Sequence, residues 1–228
     1  MSGRFPTTDE TVAYSVTQRL VDFVHRFESR TTDSGALERI LEGERFRGGI
    51  VGQSPEFFTE QYLIVPVLNA LGFEQTRWRP VDLTKAERKE PDLQIDDPPS
   101  EIVCIVEAKR LGREREDYRA KEQVKEYLVD NTFVKYATDR DRQYLVGIGT
   151  DGLDWSLYAK PIGQREPIWI DTVSIREELL TLTQSVRDAN VSSPELVCIR
   201  KDIATSLVPL IASHTLRDLV VDEVTHRY

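Results

Sequence analysis

Apolar positions recur along this chain with two distinct periods. From about Asp9 to Glu28, Val12, Val16, Leu20, Phe23, Val24 and Phe27 form one stripe at helical spacing, with Thr8 or Asp9 placed to cap it. Leu37 to Glu44 reads as a second short helix, and Gly48, Gly49 and Gly52 as a loop. Pro55 to Leu71 reads as a helix that is apolar nearly all round, and therefore buried. Pro55 suits its first turn and Gly72 its end. Pro66, inside it, must kink the helix or shift its hydrogen-bond pairing. One acid, Glu60, stands within this apolar surface.

A basic loop follows, with Arg77, Arg79, Lys85, Arg88 and Lys89. Strands are expected from Asp92 to Ile95 and from Ile102 to Lys109, joined at Asp97-Pro98-Pro99. Glu114 to Val129 has helical character. Gln143 to Thr150 and Leu153 to Lys160 flank Asp151-Gly152, a strong hairpin signal. Ile168 to Ile175 predicts another strand and Arg176 to Ala189 a helix. The tail from Ser193 to Tyr228 predicts one or two more helices, broken near Pro209. Helices, then strands interrupted by one helix, then helices again predict an α/β fold, with a mixed central β-sheet flanked by helices.

A length of 228 residues suits one mixed domain with a real core. Three segments are expected: an N-terminal helical segment (1–54) packing on the core, the core itself (55–175), and a C-terminal helical segment (176–228). No apolar run is long enough to cross a bilayer, and Met1 to Glu10 lacks a signal-peptide pattern. Cys104 and Cys198 lie far apart in apolar stretches without metal-ligand spacing, which predicts reduced core cysteines and a cytoplasmic protein. A net charge of −9 counts mildly against a nucleic-acid binder. Phosphate contacts, however, depend on local rather than total charge. The most basic local stretch runs from Lys109 through Arg110, Arg113, Arg115, Arg119, Lys121 and Lys125, tempered by Glu114, Glu116, Asp117 and Glu122. It fits either a phosphate-tracking surface or a solvated helix with internal ion pairs.

The candidate chemistry lies in the strand pair around Asp97-Pro98-Pro99. Strand side chains alternate, so Glu107 and Lys109 share a face and Ala108 takes the other. Folding back at the prolines brings Asp92 opposite residues 105 to 107. Two carboxylates and an ammonium then converge. Adjacent like charges need an offset, and carboxylate oxygens with water suit Mg²⁺, or Mn²⁺. Such an ion lowers the pKa of bound water and neutralises charge on a phosphodiester, while Lys109 orients the water or stabilises the developing charge. A Glu-x-Lys triplet is cheap: Glu87-Arg88-Lys89 also fits, but no apolar strand precedes it. Glu107-Ala108-Lys109 ends the run Ile102-Val103-Cys104-Ile105-Val106, the pattern of a buried central strand. On spacing alone, a surface ion pair closing an ordinary strand remains an alternative.

Together these stretches resemble the PD-(D/E)xK nuclease superfamily, and within it the N-terminal nuclease domain of type I restriction enzyme R subunits. The resembling residues are 59–73, Pro91-Asp92, Glu107-Ala108-Lys109, Gln123 with Tyr127, and 149–158, in the family's order, over roughly residues 55 to 160. The resemblance implies a restriction-endonuclease-like core. It implies Asp92, Glu107 and Glu60 as metal-site residues (Glu60 directly or through water), Lys109 as the catalytic lysine, and Gln123 near the centre, holding nucleic acid or the lysine. It gives Trp155 a framework role. The expected activity is Mg²⁺-dependent hydrolysis of double-stranded DNA in restriction or anti-phage defence. Candidate DNA contacts are Lys89, Arg110, Arg113, Arg119 and Lys125. These 228 residues contain no Gly-x-x-x-x-Gly-Lys phosphate loop, so the expectation is a stand-alone relative, or one working as a homodimer or beside separately encoded helicase or methyltransferase subunits. Alternatives from other classes are a silent nuclease-fold module for DNA binding or assembly, and a nuclease for RNA or branched DNA.

Overall fold

A computed structural model describes residues 8–77, 91–95, 101–112, 114–187 and 193–228. Helix α1 (Asp9–Glu28) is capped by Thr8, whose Oγ1 accepts the Thr11 N–H at 3.3 Å. Its apolar stripe is the buried face, as the periodicity predicts. After α2 (Ala36–Leu41) and a 3₁₀ turn (Gly48–Ile50), the buried helix comes in three consecutive pieces: α3 (Pro55–Thr59), a π-helical turn (Glu60–Ile64) and α4 (Val65–Ala70). The π turn ends one residue before Val65-Pro66 opens α4. A proline has no N–H for the i→i−4 ladder, and widening the preceding turn accommodates it.

Strand β1 (Gln75–Arg77) occupies the start of the stretch expected to be loop. It pairs antiparallel with β2 (Leu93–Ile95), and β2 pairs antiparallel with β3 (Ile102–Ala108). The Asp97-Pro98-Pro99 turn, the Glu87-Arg88-Lys89 triplet, Lys89 and Arg113 lie outside the described residues. Next come α5 (Glu114–Val129) and α6 (Asn131–Thr138). The sequence reading lacks α6; Asp130 caps it by accepting the Thr132 N–H at 2.7 Å. Strand β4 (Tyr144–Thr150) pairs parallel with β3, while β5 (Asp154–Pro161) and β6 (Ile168–Ser174) complete the sheet by antiparallel pairing. The order is β1-β2-β3-β4-β5-β6.

Helices α7 (Arg176–Arg187), α8 (Ser193–Thr205), α9 (Leu207–Ile211) and α10 (Leu216–Arg227) finish the chain. Pro209 does not break a helix. It lies in the first turn of the short α9, where no N–H is needed, and the chain breaks instead at Ser206 and after Ile211.

The result is an α/β fold, a mixed sheet flanked by helices, compatible with a restriction-endonuclease-like core. One apolar cluster runs from Val12 through Cys104, Val106 and Val146 to Val224, so the terminal helices share a continuous core with one sheet face. On the other face, Val103, Ile105 and Leu145 pack against Val124, Tyr127 and Leu128 of α5 and Phe133 of α6. Helix α5 lies close because β4 offers glycines beneath it: a Cβ on Gly149 would stand 3.0 Å from the Ala120 carbonyl carbon, and one on Gly147 would stand 2.4 Å from Val124 Cγ1. Trp155 is fully buried in the sheet, in keeping with a framework role. Cys104 is buried, and burial pushes its thiol up to about 12. Cys198 is not a core residue: it is free and, with Val197, exposed on α8, whose buried side is taken by Ile199 and Ile203.

The β4–β5 turn holds a buried acid. Asp151 Oδ1 accepts the N–H groups of Leu153 (2.9 Å) and Asp154 (3.0 Å), and Oδ2 is buried without a hydrogen-bond partner among the described residues. Burial pushes this carboxyl up to about 6 from 3.8; the two backbone donors oppose the shift and the Asp154 charge adds to it. A raised folded-state value means that the native chain holds the proton longer than the unfolded chain. Stability from this group is therefore full below pH 3.8 and is lost as pH rises through about 6. Asp151→Asn keeps the Oδ1 acceptor and removes the charge. Urea titrations at pH 4 and pH 7 should show a smaller loss in the variant, by roughly 2–3 kcal/mol; an unchanged pH dependence would refute the assignment.

Candidate active site

The β2–β3 register sets Leu93 opposite Val106, so Asp92 stands beside Glu107. Asp92 Oδ2 accepts the Ala108 N–H at 2.8 Å, which fixes the carboxylate against β3. Glu107 points to the α5 face and is 2% exposed. Lys109, one step past the end of β3, folds its ammonium back over both acids. Its Nζ donates to Glu107 Oε1 and to the Ala108 carbonyl (3.2 Å), and lies 4.0 Å from Asp92 Oδ2. The Lys109 N–H in turn donates to the Thr150 carbonyl at 2.8 Å, extending the β3–β4 ladder to the site.

The Glu107–Lys109 pair exists, but it is not a surface pair: only 3% of the Glu107 side chain and 12% of the Lys109 side chain reach solvent. Burial, and then the Asp92 charge, push the Glu107 carboxyl up to about 7; Lys109 and a hydrogen bond from Tyr127 oppose them. The Tyr127 phenol is itself pushed up, first by burial and then by Glu107. Glu107 Oε2 is buried and has no hydrogen-bond partner among the described residues. A buried carboxylate oxygen without a partner is costly, and here it sits beside a second carboxylate.

Lys109 opens onto a cavity of about 630 Å³, which Arg110, Arg119 and Gln123 also line. Gln123 sits one helical turn before Tyr127, so one face of α5 supplies both. Glu56 of α3 also lines the cavity, with Oε1 3.6 Å from Lys109 Nζ. Glu60, one turn further along, is half-buried and does not line it. Thr59 accepts the Leu111 N–H at 3.0 Å and so ties this helix to the segment after Lys109. Lys125 stands off the cavity, paired with Glu122 at 2.8 Å and lying over the Tyr158 ring.

Glu56 and the Tyr127–Glu107 contact escape sequence reading. Glu56 is an ordinary first-turn acid in sequence, and its role appears only once α3 meets the end of β3. Tyr127 is visible as the i+4 neighbour of Gln123 but not as a partner of Glu107. Among the described residues, no group of three or more His, Cys, Asp or Glu side chains is arranged to hold a metal. The donor set is thus two carboxylates, Asp92 and Glu107. An orphaned oxygen and mutual repulsion are what a hard divalent cation would relieve, with water as the remaining ligands. In that sense the residues fit Mg²⁺ or Mn²⁺.

No family model and no solved structure matches the chain. Over 110 residues, 46% of this chain, it is 36% identical to a protein of Methanocaldococcus jannaschii named "Putative type II restriction enzyme and methyltransferase". The chain spans 8% of that protein's length. No helix among the described residues is long and apolar enough to cross a membrane.

Proposed function

We propose that this chain is a metal-dependent DNA endonuclease of the PD-(D/E)xK type, acting in restriction or anti-phage defence. The observation that carries this reading is Glu107: buried, with one oxygen unpartnered among the described residues, beside Asp92 and under Lys109, which itself lines a cavity walled by arginines and glutamates. The partial likeness to a protein named as a restriction enzyme supports the same class.

Asp92 and Glu107 would hold Mg²⁺ or Mn²⁺, with Glu56, whose Oε1 lies 3.6 Å from Lys109 Nζ, or Glu60, one helical turn after Glu56, acting through water. When bound, the ion supplies Lewis-acid activation of water and neutralises charge on the phosphodiester. The chain's own groups do the rest. Tyr127 donates to Glu107 and holds its rotamer against the competing Lys109. With the carboxylates engaged, the Lys109 ammonium is free to donate toward the attacking water or a non-bridging phosphate oxygen, where negative charge accumulates. Gln123, on the cavity wall, positions either the lysine or the strand. Water oxygen bonds to phosphorus, one ester P–O bond breaks, and the departing oxygen takes up a proton. A duplex cut on both strands needs two such centres, which a homodimer would supply. The relative's name joins restriction to methylation, which makes a methyltransferase a natural partner, as a helicase subunit would be for a type I arrangement.

Supercoiled plasmid incubated with the protein should be nicked or linearised with Mg²⁺ or Mn²⁺ and left intact with EDTA. Binding without any cleavage would instead indicate a silent DNA-binding module. Metal binding has its own readout. At a hundredfold excess over its dissociation constant, Mn²⁺ should raise the melting midpoint by about 5 °C or more. Glu107→Gln should abolish that shift; a variant that keeps it would remove Glu107 from the metal site.

A further inference from the structure

Arg45 lines the same cavity as Lys109, although it comes from the loop between α2 and α3, in the N-terminal helical segment. Its side chain is exposed, and it makes no ion pair or hydrogen bond with any described residue. The acid next to it does not cancel its charge, because Glu44 is bound by Arg39 at 2.9 Å. The loop is also held firmly. Phe46 is 1% exposed and packs its ring against Phe27 (5.7 Å) and Phe58 (6.0 Å, edge-on). Arg176 donates to the Leu41 carbonyl (2.6 Å) and the Gly112 carbonyl (3.0 Å), bolting the end of α2 to the segment that follows Lys109. A guanidinium unpaired among the described residues, carried on a pinned loop and lining the cavity that Lys109 lines, is available to a phosphate.

We infer that Arg45 is a DNA-backbone contact of the catalytic cleft, holding a phosphate next to the one that is cut. This rests on the nuclease reading. It gives the N-terminal segment a part in substrate binding, and it adds a cation to a wall that also carries Glu56, Glu122 and Glu126, in a chain whose net charge is −9. The contact reads no base, so its loss must weaken all sequences alike.

The test measures anisotropy of a labelled duplex, with Ca²⁺ in place of Mg²⁺ to prevent cleavage, across a salt series. Each neutralised phosphate contributes about 0.9 to the slope of log affinity against log salt. Arg45→Ala should therefore lower the slope by about 0.9 and weaken binding about eightfold near 0.1 M salt, equally for unrelated sequences. Arg45→Lys should keep the slope. Arg47→Ala removes the same charge two residues away, from an exposed side chain outside the cavity wall, and should leave the slope at the wild-type value. If the wild type binds no duplex, the nuclease reading falls and this inference with it. If the wild type binds and Arg45→Ala matches it, or Arg47→Ala loses as much, the inference alone is overturned.

Discussion

Lys109→Ala is expected to slow plasmid cleavage by at least about a hundredfold while leaving duplex affinity nearly unchanged. The reason is the position of Nζ. It touches Glu107 Oε1 and the Ala108 carbonyl, lies 4.0 Å from Asp92, and Lys109 is the member of the trio that lines the cavity. A cation there matters most when charge builds up on the phosphate, so the loss should fall on kcat rather than on KM. The protein should remain folded, because Glu107 can take up a proton or a metal ion when its lysine partner goes; far-UV circular dichroism checks this. Asp92→Ala should lose cleavage to a similar extent, and with it the Mn²⁺-dependent thermal shift. Lys109→Ala should keep that shift. A Lys109→Ala protein that cuts like the wild type would remove Lys109 from the mechanism.

The largest stability effect is expected from Phe58→Ala, about 3–5 kcal/mol. Phe58 is fully buried at the centre of a ring cluster: Phe23 at 5.9 Å, Phe27 at 5.8 Å and 89°, Phe46 at 6.0 Å and 89°, and Tyr62 at 4.9 Å. Removing the ring opens a cavity among rings held by α1, the Arg45 loop and the π turn, none of which can close it alone. The urea midpoint should fall with an unchanged m-value, and the melting midpoint should drop by roughly 10 °C. A loss under about 1 kcal/mol would mean that the cluster repacks freely. The same ring underlies the site. Phe58 adjoins Thr59, which holds Leu111, and is two residues from Glu56, which faces Lys109. Residual activity in the variant should therefore fall more than its folded fraction.

Much of this arrangement was legible in the chain. The stripe on α1, the continuous apolar run of β3 and the Asp151-Gly152 hairpin appear where periodicity and turn chemistry put them, because local sterics and burial of one face decide such elements. The convergence of Asp92 with Glu107 was legible too, since an antiparallel return of known length leaves little choice of register. Helix α6 was missed: eight residues of mixed polarity carry little periodic signal, and its start depends on the Asp130 cap. Pro209 misled because a proline that ends a long helix and one that opens a short helix look alike in sequence.

What the sequence by itself determined, then, is a set of elements and one strand pair bearing two acids and a lysine. Only the tertiary structure decided whether Glu107 and Lys109 formed a surface ion pair or a buried one. The answer lies in β4, where Gly147 and Gly149 let α5 settle onto the sheet and seat Tyr127 against Glu107. The same packing decided that α3 faces the site with Glu56 and that a loop some sixty residues upstream of Lys109 delivers Arg45 to its cavity. Periodicity shows which face of an element is buried. It does not show which neighbour covers that face, and the dielectric, the partners and the charge balance of a site all come from the neighbour.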